Sequence, residues 1–390
     1  MARNGFKVFD TDTHTGPVMQ LLDKYLTDAE RAKLADWKQF RVTNTGADHY
    51  KDSTTYSRGT RVYRRVLGAA KADESRAAKP SLVASGAKPK KVPSTLLVDS
   101  EPSERVKDMN IEGSDAHLML PSGWFGCYTA SDDVALEMGM YRAYNRWMND
   151  YCSAYPDRLG GVALISARDI PGSVEEIKRW SKSRWAWGIE VYAPYGMPLD
   201  HPDLEPVWAA AQEYDYVVAL HVYAASPPYA PGSMDTWENR FLQGSVAHPW
   251  CGQRNMAALI CSGVMDRYPK LRIGTLEAGH SWLPYWMAQL DEHAHHDKVW
   301  LPELKHKPSE YVTSGRYFQS IEIHEGARLT NAVMDLVGED ILMYASDYPH
   351  MECHYPDSVN DVLAWDMSEG RKRKLLWDNA VKFYARSGLK

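Results

Sequence analysis

The sequence has 390 residues, 44% hydrophobic and 25% charged, with a formal net charge of −6. This is the composition of a folded globular chain, not a disordered one. The negative charge gives no reason to expect nucleic acid or an anionic membrane as partner, and no run of 18 apolar residues is available to cross a bilayer.

In chain order, strands are predicted at KVFDTDTH (7–14), DAHLML (115–120), GGVALIS (160–166), GIEVYA (188–193), YVVALHV (216–222), LRIGTLE (271–277), YFQSIEI (317–323) and ILMYASD (341–347). Helical patterns lie between most of them, over 132–155, 171–184, 203–214, 253–268, 281–296 and 324–338. This alternation suits a parallel α/β fold, either an open doubly wound sheet or a closed barrel. The polar groups favour the barrel. Asp12, His14, His221, Glu277 and Asp347 all fall at or just past strand C-termini, which a barrel gathers at one mouth and an open sheet spreads along an edge. The expected architecture is one domain over 1–390, a distorted (β/α)8 TIM barrel with a long insertion after the first strand. The insertion, 45–105, carries SRGTRVYRRV and then the small, basic, Pro-containing AAKPSLVASGAKPKKVPST. It reads as a lid, as an arm across a neighbouring subunit, or as an excursion packed on its own barrel.

Side chains two apart on a strand share a face, so Asp12 and His14 point together, with Asp10 beside them if the strand stays regular. Carboxylate and imidazole are both ligands for a divalent ion. His221 ends VVALH, and a lone buried histidine is more often a hydrogen-bonded core residue than a ligand. Asp347 ends ILMYASD, where burying a bare charge is costly and a cation would offset it. Glu277 ends LRIGTLE, and His280 follows a glycine turn. Together these residues predict a metal site.

The five cysteines, Cys127, Cys152, Cys251, Cys261 and Cys353, form no CxxC and are odd in number, so neither a disulfide framework nor a zinc knuckle is implied. MARNGFKVFD lacks the apolar run of a signal peptide, and a reducing cytoplasm is the expected location. His350 is a candidate for substrate contact or for capping a turn. Trp124 and Tyr223 are candidate pocket walls. Arg254 is a candidate to grip a substrate carboxylate bidentately, against the ordinary alternative of a surface ion pair. His293, His295 and His296 sit at a helix end and read as a solvated face.

In FDTDTH, VALHV, NMAALICSGVMDRYPKLRIGTLEAGHSWLPYWMAQLDEH, PSEYV, ILMYASDYPH and NAVKFY the chain resembles the amidohydrolase superfamily. The branch it resembles is amidohydrolase family 2, which includes aminocarboxymuconate-semialdehyde decarboxylase and gamma-resorcylate decarboxylase. The resemblance implies a metal at the barrel mouth, with Asp12, His14, His221 and Asp347 as ligands and Asp347 also moving protons. It also implies a histidine on strand six, where this chain has Glu277, and a Glu shortly after the first-strand histidine, where it has TGP. No lysine stands at the strand-four end, which carries Glu190, so one metal is expected.

Zinc is the first expectation, with manganese or iron next. Metal-activated water would attack an amide, ester, lactone or activated C–C bond of a small aromatic or cyclic substrate, with Glu277, Asp347 and His280 as proton carriers. The alternative is non-oxidative decarboxylation of an aromatic or unsaturated acid, and a third reading is a non-catalytic metal-binding barrel. A homodimer is expected from the resemblance.

Overall fold

A computed structural model of the chain describes residues 3–43, 53–56, 101–121, 128–129, 132–194, 196–221, 240–301, 304–350 and 352–390. Its centre is an eight-stranded parallel sheet: β1 (Phe9–Thr15), β2 (Ala116–Pro121), β3 (Leu159–Ser166), β4 (Ala186–Tyr192), β5 (Val217–Leu220), β6 (Arg272–Thr275), β7 (Tyr317–Ser320) and β8 (Leu342–Met343). The strands neighbour one another in chain order. The segment after β8 returns to β1 through Thr11 N–H donating to Tyr344 O, 3.0 Å, and a Thr13–Tyr348 bridge. This closes the (β/α)8 barrel.

Nearly every strand residue is buried, as a parallel sheet covered by helices on its outer face requires. The strands therefore read as continuous apolar runs rather than alternating ones. The helices used below are α1 (Pro102–Glu112), α2 (Val134–Ser153), α3 (Ile170–Arg179), α4 (Glu205–Glu213), α5 (Arg240–Cys261), α6 (Leu283–His296) and α7 (Gly326–Val337). Asp133 caps α2 by accepting from Leu136 N–H at 2.9 Å, and Asp169 caps α3 by accepting from Gly172 N–H at 3.0 Å. Asn145 of α2 locks onto β3, accepting from Leu164 N–H at 2.9 Å and donating to its carbonyl at 3.1 Å.

The barrel floor is aromatic. Phe9 meets Trp187 edge-on at 5.4 Å and packs on Trp377 and Tyr384 of the C-terminal helical segment. This plug closes the end opposite the strand C-termini and leaves one mouth.

All eight predicted strands are present, but several are shorter than the apolar runs. β6 stops at Thr275 and β8 at Met343, ahead of Glu277 and Asp347. Both carboxylate residues take left-handed backbone, with φ of 50° and 59°. A non-glycine residue there is strained, and such strain persists where the surrounding structure imposes it. The strand register also slips between Asp10 and Thr13. Asp10 stays next to Asp12, accepting from its N–H at 3.4 Å, but belongs to neither ligand set described below. It accepts from Ser346 Oγ at 2.5 Å and Ser346 N–H at 3.0 Å, tying β1 to the chain beyond β8.

Most of the predicted insertion, 45–52 and 57–100, lies outside the described residues. Thr54–Tyr56 pairs antiparallel with Arg41–Thr43, and the barrel resumes with α1 at Pro102, just before the expected end of the insertion. Arg105 of α1 is fully buried. Among the described residues no helix is long and apolar enough to cross a membrane.

Candidate metal centre

The mouth is built from residues far apart in sequence. β1 supplies Asp12 and His14; His221 follows β5, Glu277 follows β6 and Asp347 follows β8. His14 Nε2 lies 3.3 Å from Asp12 Oδ1, 3.2 Å from Asp347 Oδ1 and 3.7 Å from Glu277 Oε2. His221 Nε2 lies 2.7 Å from Glu277 Oε2 and 3.7 Å from Asp12 Oδ1. Asp12 and His14 are each 1% exposed.

Two overlapping sets, Asp12–His14–His221 and His14–Glu277–Asp347–His350, each bring one ligand atom per residue to within 4.8 Å of the others. His350 stacks on His14 at 4.0 Å between ring centres, and its Nδ1 is 2.7 Å from Asp347 Oδ1. His350 thus belongs to the cluster rather than only capping a turn.

Outer contacts aim the ligand atoms. His14 Nδ1 faces the carbonyl of Pro121 at 3.4 Å, leaving Nε2 for the mouth. Arg105 donates to the His14 carbonyl from below. Glu277 N–H donates to Ser320 Oγ at 3.1 Å. Asp347 N–H donates to the Asp12 carbonyl at 3.0 Å.

The electrostatics call for positive charge. Burial opposes protonation of His14, but the carboxylates of Asp12, Asp347 and Glu277 outweigh it and raise its pKa well above the ordinary range. His221 is raised likewise, against burial, by Glu277 and Asp12. Burial pushes Glu277 up, yet His221, His14 and His248 hold it well below the usual carboxylate range. Burial raises Asp12.

The residues fit a divalent ion. Both carboxylate oxygens of Asp12 and of Asp347, and Nε2 of His14, are buried without a hydrogen bond of acceptable geometry to any described residue. Buried polar atoms are normally satisfied, and a cation among oxygens and imidazole nitrogens would satisfy these.

His280 does not join the cluster. Its ring is fully buried behind the mouth, where Nε2 meets Thr330 Oγ1 at 2.9 Å and Nδ1 accepts from Glu322 N–H at 3.2 Å. The cause is Gly279, whose φ of 69° turns the chain away after Glu277. His280, expected as a proton carrier, thus lies outside both ligand sets. Trp124 and Tyr223 lie outside the described residues. Arg254 lines a cavity that also reaches His221. His293 and His296 are exposed on α6 and pair with Asp297 and Glu292, as a solvated helix end does.

Two mouth residues escaped the sequence reading. His248, inside α5, places Nδ1 3.8 Å from Glu277 Oε1. A histidine in the middle of a helix carries no strand-end signal. Glu322 follows β7, and burial together with the charges of Glu277, Asp347 and Asp12 raises its pKa well above the usual range. Its signal was available, because Glu322 interrupts the apolar run YFQSIEI as Asp347 interrupts its own.

A closed parallel barrel with imidazoles and carboxylates at its C-terminal mouth defines a metal-dependent (β/α)8 enzyme. Within that class the amidohydrolase family 2 model matches residues 98–386, and the chain belongs to the amidohydrolase family. Gamma-resorcylate decarboxylase of Rhodococcus jostii (strain RHA1) is 22% identical over 276 residues, 62% of this chain and 75% of that protein. The crystal structure of 5-carboxyvanillate decarboxylase from Novosphingobium aromaticivorans, complexed with manganese and 4-hydroxy-3-methoxy-5-nitrobenzoic acid, superposes with a TM-score of 0.69 at 22% identity. It covers 98% of this chain and 97% of that one. The 5-carboxyvanillate decarboxylase of Sphingomonas paucimobilis gives 0.67 at 18% identity, over 97% and 99%.

Proposed function

We propose that the chain is a metal-dependent, non-oxidative decarboxylase of an aromatic or unsaturated carboxylic acid. The observation that carries the reading is the pair of overlapping ligand sets at the mouth, Asp12–His14–His221 and His14–Glu277–Asp347–His350, which share His14. The named relatives above, all decarboxylases, support this choice over hydrolysis, which the sequence alone had put first.

Asp12, His14, His221 and Asp347 would hold one divalent ion. Two imidazoles and two carboxylates form a harder donor set than three imidazoles, and the ion in the Novosphingobium structure is manganese, so manganese is preferred to zinc. When bound, the ion would supply positive charge to fix a substrate carboxylate and a neighbouring oxygen.

The chain's own groups then manage the proton. Decarboxylation breaks the C–C bond, releases CO2 and needs a proton at the vacated carbon. Asp347, touching His350 at 2.7 Å, has a route to solvent through that half-exposed ring. Glu277 has a second route through His248.

The test is incubation of manganese-loaded protein with hydroxybenzoic acids in heavy water. The expected result is CO2 in the headspace and one deuterium at the vacated carbon. Cleavage of amides, esters or lactones of the same acids with uptake of oxygen from 18O-labelled water, and no CO2 from the free acids, would instead establish the hydrolase reading. That second reading is favoured by Glu277, which His221 and His248 keep as a carboxylate ready to accept a proton from water.

A further inference from the structure

Helix α1 packs on the barrel with a charged stripe. Arg105, Asp108, Met109 and Glu112 fall three or four apart and form its buried face. Arg105, Asp108 and Glu112 are 0%, 2% and 4% exposed, whereas Ile111 on the outer face is 50% exposed. This inverts the usual pattern of a surface helix, and charged groups are costly to bury without specific partners.

Those partners lie in β1 and in the segment that follows β8. Arg105 donates to the carbonyl of His14 and to Thr13 Oγ1 at 3.4 Å, and its guanidinium lies 5.2 Å from the centre of the Tyr348 ring. Asp108, one turn on, accepts from Tyr348 OH at 2.6 Å and, through its other oxygen, from Tyr355 OH at 2.9 Å. Glu112 accepts from Val359 N–H at 3.2 Å. The two tyrosines bracket His350, so one carboxylate grips both flanks of the stretch that carries the ring stacked on His14. Tyr348 also follows Asp347 directly, and its carbonyl accepts from His14 N–H at 2.6 Å. Arg105 and Asp108 thus reach both main-chain groups of His14, one directly and the other through Tyr348.

We propose that Asp108 is a positioning residue of the metal centre, which by holding Tyr348 and Tyr355 together fixes Asp347 and His350 against His14. The inference rests on the metal site proposed above and not on which reaction the site performs.

The test is calorimetric titration of manganese into the full chain stripped of metal, with the bound ion read by electron paramagnetic resonance. Asp108→Ala should bind manganese about tenfold more weakly, the low end of the cost of removing an outer partner of a metal ligand, and should change the spectrum of the bound ion. Tyr355→Phe should act in the same direction by a smaller factor, and it serves if the alanine variant is unstable. The two changes together should cost no more than Asp108→Ala alone, because both remove one contact. Gly160→Ala, at the opposite end of the barrel, is the control for general loosening and should leave affinity and spectrum as in the wild type. Folded Asp108→Ala protein with wild-type affinity and spectrum overturns the proposal, as does an equal loss of affinity in Gly160→Ala. Wild type that takes up no manganese overturns the metal centre and this role with it. Wild type that binds manganese but releases no CO2 from any acid overturns the decarboxylase reading alone.

Discussion

The backbone N–H of Asp347 donates to the carbonyl of Asp12 at 3.0 Å. With His14 N–H on the Tyr348 carbonyl at 2.6 Å, this bond seals the last gap in the barrel. It also sets two carboxylates and an imidazole side by side. Closing the barrel and assembling the cluster are therefore one event, and the left-handed backbone of Asp347 is held by the closure it completes.

Replacing Asp347 with Asn keeps the shape and the backbone bond but removes the ligand charge. Removing even an outer partner of a metal ligand costs about 10–100-fold in affinity, so loss of a ligand charge should cost at least about 100-fold. Metal analysis after dialysis should find the variant depleted where the wild type retains one ion. Full occupancy in the variant would remove Asp347 from the ligand set.

Glu325 supports the mouth from behind. It accepts from Ser281 N–H at 2.8 Å and from His280 N–H at 3.2 Å, and His280 Nδ1 lies 2.9 Å away. Burial raises its pKa, but the contacts with His280 and Ser281 outweigh that and leave it below the ordinary value. A depressed carboxyl contributes stability above its unfolded pKa and loses it as pH falls through the folded one. Glu325→Gln should cost roughly 2 kcal/mol at neutral pH, the scale of hydrogen bonds to a charged group. The difference in chemical-denaturation midpoint from the wild type should shrink in acid below the ordinary glutamate range. A constant difference across that range would assign the cost to packing.

Gly160 on β3 is small because Trp187 of the floor occupies the space. A Cβ there would meet Trp187 Cε2 at 2.1 Å. The ring is itself pinned between Phe9 and the Nε1 bond to the Arg184 carbonyl at 2.8 Å, so it cannot step aside. Gly160→Ala should destabilise by about 1–3 kcal/mol or more, the cost of overpacking a core. Thermal unfolding would show this as a lowered midpoint, and an unchanged midpoint would mean the floor is looser than drawn.

Much of this was legible beforehand because parallel strands buried on both faces leave long apolar runs, and a charged residue ending such a run needs a reason. That logic located Asp12, His14, His221, Glu277 and Asp347. A register slip between Asp10 and Thr13 is invisible to strand periodicity, and so is the turn at Gly279 that carries the His280 ring away from both ligand sets. The same logic missed His248 because an imidazole in mid-helix reaches the mouth only through the packing of α5 over β6, which no local pattern encodes.

His248 gives the sharpest kinetic expectation. Glu277 faces two ways, with Oε2 at 2.7 Å from His221 and Oε1 at 3.8 Å from His248, whose side chain is 31% exposed. His248 lies in neither ligand set, so His248→Asn should leave metal content at one ion per chain. If the ring passes protons between Glu277 and solvent, kcat should fall about 100-fold, the low end for a positioned acid–base group, with KM little changed. Steady-state kinetics alongside metal analysis separates the outcomes. A rise in KM at constant kcat would make His248 a substrate contact, and a loss of metal would place it among the ligands.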